Sequence, residues 1–155
     1  MAVKFKPDQY HSVIPYLIVK GAAQALDFYQ KAFGAEVTVR MDAKDSVVHS
    51  EMRIGDSVVM LADEVPAMGH VGPQTLGGTS TTLVVYVQDV DTVFARAIAA
   101  GAKEQRPLKN EFYGDRAGSL IDPFGHMWML QTHVEDVAPE EMERRMQAMM
   151  KEMGA

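Results

Sequence analysis

The chain has 155 residues, 47% of them hydrophobic and 23% charged, which is the balance of a globular domain with a substantial core. Its net charge is −6 and it has no cysteine, which excludes disulfide scaffolds, thiolate metal centres, cysteine nucleophiles and the basic stripe that nucleic acid requires. No apolar run approaches the roughly 20 residues that span a bilayer and no signal-peptide pattern opens the chain, so the expectation is a cytoplasmic protein without nucleic-acid or membrane partners.

Residues 12–19, SVIPYLIV, are apolar and β-branched and read as a strand. Ala22, Ala25, Leu26, Tyr29, Ala32 and Phe33 then recur at helical spacing, and Gly34 is a helix stop. Three strand-like runs follow at 36–41, 47–54 and 57–62, the last two joined by a Gly55-Asp56 turn. Residues 65–80 are rich in glycine and proline; they read as a long mobile loop, either a lid over a site or only a bridge. A strand at 81–87 comes next. Asp89 and Asp91 then start a helix whose stripe is Val90, Val93, Phe94, Ala97 and Ile98, and Gly101 stops it. Strands near 103–107 and 118–121, a DPFG turn at 122–125 and a last strand at 126–132 complete the second half.

The tail, 139–153, reads as a helix with Pro139 in its first turn and Met142, Met146, Met149, Met150 and Met153 on one stripe. The stripe suits packing on the domain or on a partner subunit; a protein-binding helix is the alternative. It lacks the lysine, arginine and tryptophan of a membrane-surface helix.

The two halves repeat. Val19 and Val87 lie 68 residues apart, Gly34 and Gly101 67, and Leu61 and Leu130 69. A β-α-β-β-β unit occurring twice at a steady offset is the strongest organisational signal in the chain. Three stretches carry a more specific pattern: ALDFYQKAFGAE at 25–36, HSEMRIGDSVVMLADE at 49–64 and YGDRAGSLIDPFGHMWMLQTHVED at 113–136. With these the chain resembles the vicinal oxygen chelate superfamily, which includes glyoxalase I, the bleomycin-resistance proteins and the extradiol dioxygenases, and within it the PhnB-like branch.

The resemblance implies an α+β fold of two β-α-β-β-β modules with paired curved sheets, helices on the convex face and a ligand site on the concave face. One domain is expected over 10–136, with module 1 at 12–64, the linker at 65–80 and module 2 at 81–134, followed by a helical tail at 137–155. It also implies a homodimer. Catalytic members hold a divalent metal through His and Glu near the start of each module's first strand and on its last strand. The matching positions here are Ile14, Met60, Thr82 and Met129. An aliphatic chain, two thioethers and one hydroxyl make a poor donor set for such an ion, so no metal and no other cofactor is expected.

Strand alternation sets His49, Glu51 and Arg53 on one face of their strand, with Val48, Met52 and Ile54 on the other. It also sets Met127, Met129 and Gln131 on the concave side, with Trp128 and Leu130 toward the helices. The expected small-molecule site therefore comprises His49, Glu51, Arg53, Met60, Thr82, Tyr113, Arg116, Met127, Met129 and Gln131. Arg116 either pairs an anionic ligand group or holds its own loop through a neighbouring aspartate. Binding in an apolar, methionine-walled cavity is the leading expectation. The alternative is a lyase-, isomerase- or dioxygenase-like enzyme. It would use His49 and Glu51 toward a metal, or Glu51 as catalytic general base.

Overall fold

The structure is a computed structural model and describes residues 2–154; Ala155, the end of the expected tail, lies outside the described residues. Module 1 runs β1 (Tyr16–Val19), α1 (Ala22–Phe33), β2 (Glu36–Ala43), β3 (Ser46–Ile54) and β4 (Ser57–Asp63). Module 2 runs β5 (Thr82–Tyr86), α3 (Val90–Ala99), β6 (Lys103–Asn110), β7 (Asp115–Ile121) and β8 (Met127–His133). The sheet orders are β1-β4-β3-β2 and β5-β8-β7-β6, the first pair of each parallel and the rest antiparallel. The sequence repeat is thus a repeat of topology. No helix among the described residues is long and apolar enough to cross a membrane.

Local chemistry repeats with it. Asp63, at the end of β4, accepts from Gly21 N (3.0 Å) and Ala22 N (2.7 Å), the orphan donors at the start of α1. Thr132, near the end of β8, accepts from Val90 N at 3.0 Å at the start of α3. Asp89 adds its own cap through Thr92 N at 3.1 Å. Gly34 closes α1 at φ 67°, a conformation glycine takes freely.

The expected α1 stripe is buried throughout, and Phe28 joins it because α1 also packs on module 2. Tyr29 and Phe33 lie 5.3 and 4.8 Å, centroid to centroid, from Trp128, and Phe28 lies 6.3 Å from Phe124. Leu17, Val19, Met52 and Leu61 of module 1 share one core with Phe94, Leu120, Trp128 and Leu130 of module 2. Asp122 fastens the seam. Its Oδ2 accepts from Tyr29 OH (2.5 Å) and Trp128 Nε1 (2.8 Å), and its Oδ1 from Phe124 N (2.9 Å) and His126 N (3.0 Å). His126 reaches across to the Ile18 carbonyl of β1 at 3.0 Å.

Several expectations need correction. Pairing of β1 begins only at Tyr16, preceded by one bond from Met60 N to the Pro15 carbonyl, because Pro15 has no N–H to donate. β6 runs on to Asn110 through Pro107, which an edge strand with irregular register tolerates. The β3 alternation breaks at Val48. A bulge there pairs Met41 with His49 but Asp42 with Val47, so Val47 enters the core and Val48 is 51% exposed. The linker is structured in part, with a 3₁₀ turn at Pro66–Met68 and a single helical turn, α2 (Pro73–Leu76). The tail helix α4 (Pro139–Glu152) buries no residue on its own domain; Met146, Met150 and Met153 are 40%, 45% and 76% exposed. Its anchor is Arg145, which pairs with Glu135 at 2.7 Å.

Candidate functional site on the concave faces

Both concave faces stay open. Tyr16 (47%) and Val48 in module 1, and Val84 (53%) and Tyr86 (61%) in module 2, are exposed large side chains. In module 1, β3 opposes β4 with Glu51 against Met60, and β1 opposes β4 with Tyr16 against Met60. Two hollows follow. An apolar one of about 660 Å³ is lined by Tyr16, Ile18, Val48, Ala62 and, from the linker, Val65 and Met68. A more polar one of about 710 Å³ is lined by Tyr10, Thr38, Val39, Glu51, Arg53 and Val58.

A hydrogen-bond chain stands on this face. Glu51 is only 6% exposed. Tyr10 OH donates to its two oxygens at 2.8 and 2.9 Å, and His49 Nε2 lies 3.2 Å from Oε1. Tyr16 OH is 2.9 Å from His49 Nδ1. A phenol donating to Nδ1 leaves the ring proton on Nε2, pointing at Glu51, so one arrangement satisfies every member. The hydrogen bond to Glu51, then burial, raise the Tyr10 phenol above its ordinary value, which keeps it a donor. Arg53 is turned to an ion pair with Glu36 at the sheet edge.

Module 2 buries a carboxylate in the same manner. Asp115, 3% exposed, accepts from Tyr86 OH at 2.7 Å and faces His133 Nδ1 at 2.7 Å. His133 Nε2 meets Asp136 at 2.8 Å. Hydrogen bonds to Asp136, then to Asp115, raise the His133 pKa above its usual value because both acceptors favour the imidazolium. Tyr113 lies nearby, its phenol raised first by burial and then by Glu111 and Asp115. Thr82, Met127, Met129 and Ser119 line a hollow of about 330 Å³, with Arg106 and Glu111 at its polar side.

The structure therefore gathers the expected residues into two groups. His49, Glu51 and Met60, with Arg53 at the rim, lie on one sheet. Thr82, Met127, Met129 and Gln131, with Tyr113 beside them, lie on the other. Arg116 belongs to neither. Opposite Thr132 on β7, it shares the helix-facing side with Gly118 and Leu120, and its guanidinium forks onto Asp91 of α3 at 2.8 and 2.8 Å. The alternation of β7 had the signal for this, once the strand is started at Asp115 instead of 118. Tyr10, Tyr16, Tyr86, Asp115 and His133 did not emerge as site residues from the sequence.

The family model described as the Glyoxalase/Bleomycin resistance protein/Dioxygenase superfamily matches residues 9–130. The chain belongs to this superfamily. Among curated relatives, Uncharacterized protein Mb0911c of Mycobacterium bovis is 40% identical, over 94% of this chain and 96% of its own length. Protein YjdN of Escherichia coli is 26% identical, over 75% of this chain and 91% of its own. Among solved structures, TioX from Micromonospora sp. ML1 superposes with a TM-score of 0.64 at 27% identity, covering 80% of this chain and 99% of TioX.

The four positions that the resemblance sets against the metal ligands of catalytic members can be located on this fold. Met60 faces Tyr16 and Met129 faces Val84 across parallel strand pairs, Thr82 opens β5, and Ile14 precedes β1. One aliphatic chain, two thioethers and a single neutral hydroxyl are a poor donor set for a hard or borderline divalent ion. At the alternative pair, Tyr10 engages both oxygens of Glu51, and both ring nitrogens of His49 have partners. Among the described residues, no three His, Cys, Asp or Glu side chains gather as an ion would require.

Proposed function

We propose that this superfamily member binds a small, largely apolar molecule on its concave faces, without a glyoxalase-type metal centre. The observation that carries the reading is the donor set Ile14, Met60, Thr82 and Met129, in place of histidine and glutamate, on faces that otherwise offer apolar walls and a few fixed hydrogen-bonding groups. The test is elemental analysis of protein purified without chelator or affinity tag, before and after addition of nickel, zinc, manganese and iron(II). Metal well below one per chain under every condition is expected. Near-stoichiometric metal that disappears in His49→Ala or Glu51→Ala would overturn the reading.

A second copy of this chain supplies the other wall in our reading, since Tyr16, Val48, Val84 and Tyr86 are too exposed for a finished cavity. Sedimentation at several concentrations tests it: a dimer supports the pairing and a persistent monomer removes it. The GDR.G and DPFGH.W motifs support placement in the PhnB-like branch. One observation favours an enzymatic alternative: Glu51 sits beside His49 on an apolar wall, an arrangement suited to a general base. On that reading Glu51→Gln abolishes turnover of any substrate found.

A further inference from the structure

Residues 2–14 form no ladder with either sheet. Their own hydrogen bonds and ion pairs are local: Lys4 pairs with Asp8, Lys6 Nζ donates to the Tyr10 carbonyl at 2.5 Å, and Tyr10 N donates to the Pro7 carbonyl at 3.2 Å. Among the described residues, the hydrogen bonds joining this segment to the domain are those from the Tyr10 phenol to Glu51, 41 residues away. A terminal segment thus carries an aromatic ring and one donor to the most enclosed polar group of module 1's concave face.

Glu51 is built for a donor. It is almost fully buried beside Val39, Val58 and Met60, and a carboxylate in such surroundings must be hydrogen-bonded. Tyr10 spreads a single proton over two oxygens that together have about four lone-pair sites. His49 adds one more donor, held in place by Tyr16. The position tolerates exchange of one ring-borne donor for another. It rejects anions, which would meet the carboxylate without a shared proton, and it penalises ligands with no donor, which would leave Glu51 buried and underbonded.

We infer that Glu51 is the docking point for an aromatic ligand bearing a phenol-type hydroxyl donor, and that Tyr10 occupies that point until the ligand displaces it. The inference rests on the reading that the concave face of module 1 binds a small molecule. Tyr10 is then a built-in competitor: the segment swings away, the ligand hydroxyl takes its hydrogen bonds, and the aromatic body lies over Met60 and Val58.

The test uses the full chain and two probes of one shape, 4-ethylphenol and its methyl ether, 4-ethylanisole. Binding is followed by the methyl resonances of Met60 and Ala62. In the wild type the phenol binds more tightly than the ether. Tyr10→Phe, which keeps the ring and removes the competing hydroxyl, strengthens phenol binding about tenfold, the factor expected for loss of one competing hydrogen bond. Glu51→Gln, if folded, removes the preference between probes. Equal binding of phenol and ether in the wild type, or no gain in Tyr10→Phe, overturns the inference and leaves concave-face binding standing. Failure of both probes to shift Met60 or Ala62 in the wild type and in Tyr10→Phe overturns the inference together with the reading beneath it.

Discussion

Replacing Asp122 by Asn probes the seam on which the shared core depends. The carboxylate is 4% exposed and accepts four hydrogen bonds, two from backbone N–H groups, one from Tyr29 and one from Trp128. Burial, then the Asp122 carboxylate, hold the Tyr29 phenol far above its ordinary value, so it remains a donor. In Asp122→Asn the carbonyl oxygen can keep the two backbone donors. The new amide then faces Tyr29, whose hydroxyl can turn and accept, and the Trp128 indole N–H, which can only donate. One buried donor left unpaired costs about 1–3 kcal/mol, and loss of charge assistance at the remaining bonds adds on the order of 1 kcal/mol, giving about 3 kcal/mol in all. Urea unfolding followed by the fluorescence of Trp128, the single tryptophan, reads this directly. With a urea slope of about 2 kcal/mol/M, the midpoint falls by about 1.5 M at fixed protein concentration. A shift under about 0.3 M would mean that Asp122 does not hold the modules together.

Other changes have equally definite outcomes. Asp63→Ala removes the acceptor for Gly21 N, Ala22 N and Val47 N and lowers stability by about 2 kcal/mol in the same urea assay. Gly114→Ala is worse, on the order of 3 kcal/mol or failure to fold, because φ is 99° and the new Cβ would stand 2.1 Å from the Glu135 carbonyl oxygen; soluble yield and melting temperature report it. His133 gives a pH signature. Its pKa is raised in the fold, so its contribution is complete below the unfolded value of about 6.5 and is lost as pH rises through the folded value. The His133 ring protons should titrate above about 6.5 by NMR, and His133→Asn should flatten that part of the stability profile. Truncation after Ala138 removes a helix with no buried residue and should change unfolding stability by less than about 1 kcal/mol.

What the sequence determined by itself was the architecture. Periodicity, helix-stop glycines and a near-constant offset repeat, and these are local or regular properties, so they survive without coordinates. Even Asp63 and Thr132, which serve the same capping role in the two modules, stand at the repeat offset of 69. Tertiary structure decided what the faces hold. The bulge at Val48 changed which valine is buried, since one extra residue reverses side-chain parity beyond it. The early start of β7 sent Arg116 to Asp91 on the helix side. Above all, Tyr10 reaches Glu51 from the N-terminal segment, Tyr16 reaches His49 from β1, and Asp115 draws its partners from β5 and β8. No spacing rule links Tyr10 to Glu51, because their meeting depends on how the chain closes over the sheet and not on any periodicity within it.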